Sequence, residues 1–104
     1  MKNARISLSD AAANDILEQA DWYESQANAR LGKRWESAVS QALLPVVRNP
    51  RSGAPCTFKA VELRSLRRIP IAGFPRHLVF YRAEKDTVLI LRVIHGARDL
   101  ESLF

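Results

Sequence analysis

The chain has 104 residues, 47% of them hydrophobic, and a formal net charge of +5. That is enough apolar material for one modest core and too little for two, so residues 1–104 are expected to form a single domain. The lone cysteine, Cys56, rules out an intramolecular disulfide and any cysteine-cluster metal site. The opening MKNARISLSDAAAND lacks an apolar stretch of signal-peptide length, and the longest apolar runs fall far short of a membrane span. A cytoplasmic protein is expected.

The charge is unevenly placed. Between Ile6 and Ala29 there are five acids and no base, whereas from Arg30 onward fourteen bases face six acids. A basic body steers toward nucleic acid or an acidic protein surface, and the plain alternative is solvated surface charge.

In chain order, ARISLS reads as a first strand, with Ile6 and Leu8 on one face. Ser9 is a candidate N-cap, and Asp10 supplies a favourable charge to the start of a helix. Ala13, Ile16, Ala20, Tyr23 and Ala27 recur at helical spacing and predict one apolar stripe. Trp22 projects from roughly the opposite side, so it either meets another part of the chain or waits for a partner.

Leu31, Trp35, Val39, Ala42 and Val46 mark a second helix, with Trp35 in the core. The ESQANA connection is short enough for an antiparallel hairpin. Pro45 either kinks or ends this helix, and NPRSGAP stops it. The period then becomes extended. Val61 and Leu63 alternate with Glu62 and Arg64, while Ile69 and Ile71 flank Pro70, which points to an edge or a bulge. AGFP and AEKD supply turns around HLVFYR and TVLILRVIH, two strands apolar on both faces. One face belongs to the helix pair, and what covers the other is left open. The predicted class is α+β: an N-terminal strand, a helix hairpin, a three-stranded antiparallel sheet and a short C-terminal turn or helix.

This order, with DWYESQANARLGKRW in the hairpin, GFPRHLVFYR entering a strand and LRVIHGARDL near the end, resembles the ParE/RelE superfamily of toxins from bacterial type II toxin-antitoxin modules, the ParE branch above all. The resemblance implies a cognate ParD-like antitoxin whose C-terminal segment folds around the toxin, and it offers that segment as the cover for the second sheet face. Trp22, Arg76 and Arg82 are the candidate antitoxin contacts. Operator DNA would be reached only through the antitoxin.

Two mechanisms fit the superfamily. A ParE-like toxin inhibits DNA gyrase by protein contact and needs no catalytic residue. Arg64, Arg67, Arg68, Arg92, His95 and Arg98 are then the candidate target contacts. A RelE-like toxin cuts mRNA on the ribosome, and needs a base for the ribose 2′-hydroxyl, cations at the scissile phosphate and an acid for the leaving oxygen. Arg64, Arg82, His95 and Arg98 are the candidates for that chemistry. The plain reading of His95 is a hydrogen-bonding strand end, and that of Arg92 a paired structural ion. Gly96 is expected to let the chain turn out of the sheet. No motif calls for a metal or cofactor.

Overall fold

The computed structural model describes residues 4–96 and 100–104. Strand β1 (Arg5–Leu8) leads into helices α1 (Asp10–Gln26) and α2 (Ala29–Arg48). Strands β2 (Ala54–Pro55), β3 (Leu66–Ile71), β4 (Phe74–Ala83) and β5 (Thr87–His95) follow, with short 3-10 turns at Val61–Leu63 and Leu100–Leu103. The sheet order is β1-β5-β4-β3-β2. The α+β expectation holds, but the sheet has five strands and is mixed: β1 runs parallel to β5, pairing Arg5 with Thr87 through Leu8 with Ile90. Local periodicity carries no information about a partner eighty residues away.

Ser9 begins α1 and also anchors it. Its Oγ accepts from the Ala12 N–H at 3.0 Å and donates to the Leu91 carbonyl at 2.8 Å, so the N-cap is tied to β5. Asn28 caps α2 by accepting from the Leu31 N–H. The connection between the helices is therefore only Ala27 and Asn28, shorter than the ESQANA segment suggested. Helix α2 runs through Pro45 to Arg48 without ending early. In α1, Ala20, Ile16 and Tyr23 face the core as expected, and the first position of the stripe differs, Ala12 being buried where Ala13 was expected.

Trp35 is the largest fully buried side chain, and its indole donates to the Ile16 carbonyl at 3.0 Å. It packs among Val39, Val46, Val79, Tyr81, Val88 and Ile90 between the helices and the sheet. Helices therefore cover the face made by Val79, Tyr81 and Val93.

The other face holds Cys56, Leu66 and Phe80, and the chain covers much of it with its own segments. Phe58, Leu63 and Leu100 pack on that cluster, while Phe104 lies 5.4 Å from Phe80 and 5.6 Å from Phe58, ring centre to ring centre. The Glu101 carboxylate accepts from the Lys59 and Ala60 N–H groups, both at 2.9 Å, and these bonds hold it below the usual carboxylate range. The cover that the resemblance offered to an antitoxin is thus supplied in large part by the chain itself, which corrects that expectation. So is the reading of Val61–Leu63 as strand: it is a 3-10 turn, and β3 begins only at Leu66.

Pro70 sits in β3 beside a register shift at Pro70/Ile71, past the stretch that β2 covers, where its missing N–H costs no ladder bond. Gly73 closes the β3–β4 turn at φ 87°, a left-handed conformation that favours glycine. Gly96 has a different reason: a Cβ there would lie 2.6 Å from a methyl carbon of Leu78.

Fully buried Tyr81 locks the α2–β2 turn. Its hydroxyl donates to the Pro50 carbonyl and accepts from the Gly53 N–H, each at 2.8 Å. Tyr81→Phe leaves both backbone groups without that partner. It is expected to cost about 1–2 kcal/mol in a urea melt; an unchanged midpoint would show that the turn does not depend on the hydroxyl.

Candidate functional site

Two regions carry the residues singled out in the sequence. The first is a groove of about 560 Å³ between α1 and the ends of β4 and β5, bordered by Glu18, Trp22, Tyr23, Arg76, His77 and His95. Trp22 leaves the core as its helical position predicts: it is 55% exposed, with its ring edge-on to Tyr23 at 5.5 Å. Tyr23 in turn meets Trp35 at 5.9 Å, so aromatic contacts run from the groove wall into the core. Burial raises the Tyr23 phenol above its ordinary pKa, with a smaller opposing effect from Gln19.

His77 was absent from the residues singled out in the sequence, because in HLVFYR it precedes an apolar strand and gives no sign of which way it faces. The β4–β5 register places it directly opposite His95. Counting outward from the AEKD turn would have missed the pair by one residue, because the strands shift register at Phe80/Tyr81. His77 is buried against Trp35, at 4.8 Å, whereas His95 is exposed. Burial, then the neighbouring His95, pushes the His77 imidazole below its ordinary pKa.

The second region is the cationic rim around β2 and β3. Arg64 and Arg68 are exposed there, as is Lys59. Three of the expected contact arginines are instead held by their own chain. Arg67 donates to the Arg51 and Gly53 carbonyls at 3.1 and 2.7 Å. Arg82 donates to the Ser65 hydroxyl and the Glu62 carbonyl at 3.1 and 2.8 Å, bracing the 3-10 turn.

Arg92 departs furthest from a contact role. Its Nε and Nη2 grip the two oxygens of Asp15 at 2.7 and 2.8 Å, and its Nη1 donates to the Leu103 carbonyl. The Asp15 carboxylate also accepts from the Val93 N–H, so it seals the edge of β5 just past the end of β1. Arg92 is thus a paired structural ion. Arg98 lies outside the described residues. Buried Cys56 is a packing residue, with a thiol that burial pushes up against the opposing influence of Arg68.

Among the described residues, the candidates named from the sequence for RNA cleavage do not converge. Arg82 pairs with Leu66 at one end of β4, and His95 pairs with His77 toward the other. Five residues at ~3.3 Å rise separate those two positions by ~17 Å, and Arg64 lies at the Arg82 end. Arg76 is the cation beside His95, exposed on the groove wall.

With this geometry, the fold can be set against known structures. It is similar to the chromosomal ParDE toxin-antitoxin system from P. aeruginosa, with a TM-score of 0.75 at 14% identity over 90% of this chain and 97% of that one. The toxin-antitoxin complex RelBE2 from Mycobacterium tuberculosis gives 0.61 at 21% identity, over 93% and 97% of the two chains. A YoeB/ParE toxin from Agrobacterium tumefaciens gives 0.58 at 11% identity, over 89% and 99%. At these identities the likeness establishes the fold alone. A comparison with curated protein sequences found no match. The family model described as the ParE toxin of the type II toxin-antitoxin system parDE matches residues 6–100. A match across nearly the whole chain makes this protein a member of the ParE toxin family, a type II toxin within the ParE/RelE superfamily.

Proposed function

We propose that this toxin acts on DNA gyrase by protein contact and is neutralised by a ParD-like antitoxin. The observation that carries this reading is the separation of Arg64 and Arg82 from His95 along β4. Cleavage at one phosphate requires base, acid and cation within hydrogen-bond reach of a single nucleotide, and a surface that binds another protein has no such requirement. Exposed Arg64 and Arg68 then form the target-facing rim, with long-range attraction toward an acidic surface. For the antitoxin, Trp22 offers an aromatic anchor and Arg76 a cation on the same groove.

The test combines two purified assays, gyrase supercoiling and mRNA cleavage on ribosomes, with growth after induction of the chain alone. Growth arrest, inhibited supercoiling and intact mRNA are expected. Charge reversal at Arg64 and Arg68 together should weaken gyrase inhibition by roughly tenfold or more while leaving the melt unchanged. Ribosome-dependent mRNA cleavage with normal supercoiling would overturn the gyrase reading in favour of a ribonuclease.

A further inference from the structure

The chain's two histidines occupy facing positions on β4 and β5. The Gly96 N–H donates to the Arg76 carbonyl at 2.8 Å, one residue beyond the pair on each strand. That bond marks His77 and His95 as a non-hydrogen-bonded pair, the class in which side chains of adjacent strands stand closest and on the same face. Their rings are 5.6 Å apart, centre to centre.

We propose that His77 and His95 chelate a divalent transition-metal ion of the imidazole-preferring group, namely Zn²⁺, Ni²⁺ or Cu²⁺. With metal–nitrogen bonds of ~2.0–2.1 Å, the ion sits ~3.2 Å from each ring centre. Two such arms spread at a tetrahedral angle put the ring centres ~5.2 Å apart, and a linear arrangement puts them ~6.4 Å apart. The observed 5.6 Å falls between these values.

The ligands also suit the ion chemically. Ions of this group bind through imidazole nitrogen. His77 is held in place by its packing, which lowers the ordering cost of the chelate. Both rings open onto the groove, so water can complete the coordination. Glu18 on the groove wall offsets the positive charge of Arg76. Among the described residues no cluster of three or more His, Cys, Asp or Glu side chains is suited to hold a metal, which makes this a two-ligand site with exchangeable positions.

The experiment is a titration of the full-length, untagged chain with Ni²⁺, followed by tryptophan fluorescence, and with Zn²⁺ by calorimetry. Trp35 touches His77 and Trp22 lines the same groove, so a bound Ni²⁺ ion lies near both tryptophans of the protein. One ion per chain, quenching by Ni²⁺ and its reversal by Zn²⁺ are expected. Because His95 is exposed, His95→Gln should melt like the parent without metal yet bind roughly tenfold or more weakly. Absence of binding up to roughly millimolar metal, or equal affinity in His95→Gln, would overturn the chelate. Neither result depends on which target the toxin acts upon.

Discussion

Deletion of residues 100–104 lowers the stability of the fold by about 3–4 kcal/mol and moves the urea midpoint accordingly. The segment packs Leu100 on the Cys56, Leu66 and Phe80 cluster and sets Phe104 against Phe80 and Phe58. Removing it exposes on the order of 125 Å² of apolar surface, about 3 kcal/mol at ~25 cal/mol per Å². Further cost comes from the Lys59 and Ala60 N–H groups, which lose the Glu101 carboxylate, and from Arg92, which loses the Leu103 carbonyl. Against a domain stability of roughly 5–15 kcal/mol, this is a large share. A truncated chain with the parent's midpoint would show that the second sheet face does not need its own cover. On the proposed gyrase reading, inhibition that falls only as far as the folded fraction does would make the segment scaffold for the toxin.

The second large effect is expected at Asp15. Asp15→Ala removes both oxygens from the Arg92 guanidinium and the acceptor from the Val93 N–H, in a pair whose side chains are 24% and 11% exposed. Leaving a half-buried cation and a backbone donor without partners should cost about 2–3 kcal/mol. The discriminating measurement is a double-mutant cycle. Asp15→Ala combined with Arg92→Leu should recover part of that loss, since the uncompensated charge is gone. Strictly additive losses would mean that the two groups act independently despite their geometry. On the proposed gyrase reading, a double variant that folds and inhibits gyrase as the parent does would remove Arg92 from target recognition.

The legible parts of this protein were those set by local pattern. Ser9 announced α1, the Trp35 stripe announced α2, and Gly73 with its neighbours announced a hairpin. Each of those signals acts within a few residues of itself. The parallel pairing of β1 with β5, the two-residue β2 and the cover over Phe80 were not legible, because each depends on segments that meet only after the chain has closed. The same reason explains the site. Arg92 could be recognised as a cation in need of a carboxylate, yet nothing near it in sequence named Asp15, 77 residues away. His77 passed unnoticed for want of the β4–β5 register. Val61–Leu63 misled in the opposite way, since two apolar residues spaced by one satisfy a strand template and a single 3-10 turn equally well.

The pairing of β1 with β5 also governs the order in which the molecule can be made. Arg5 finds its ladder partner only at Thr87, so the first-synthesised strand has no place in the sheet until most of the chain has left the ribosome. The Ser9 hydroxyl, bonded to the Leu91 carbonyl, waits equally long. Closing a loop of that length before any contact rewards it makes this step slow and places it late in folding. The helix hairpin, by contrast, is built from near neighbours and can form while synthesis continues. A nascent toxin therefore presents its α1–α2 face, with Trp22 on it, well before its sheet is complete. That sequence of events leaves an interval in which the helix hairpin stands without the sheet that later covers it.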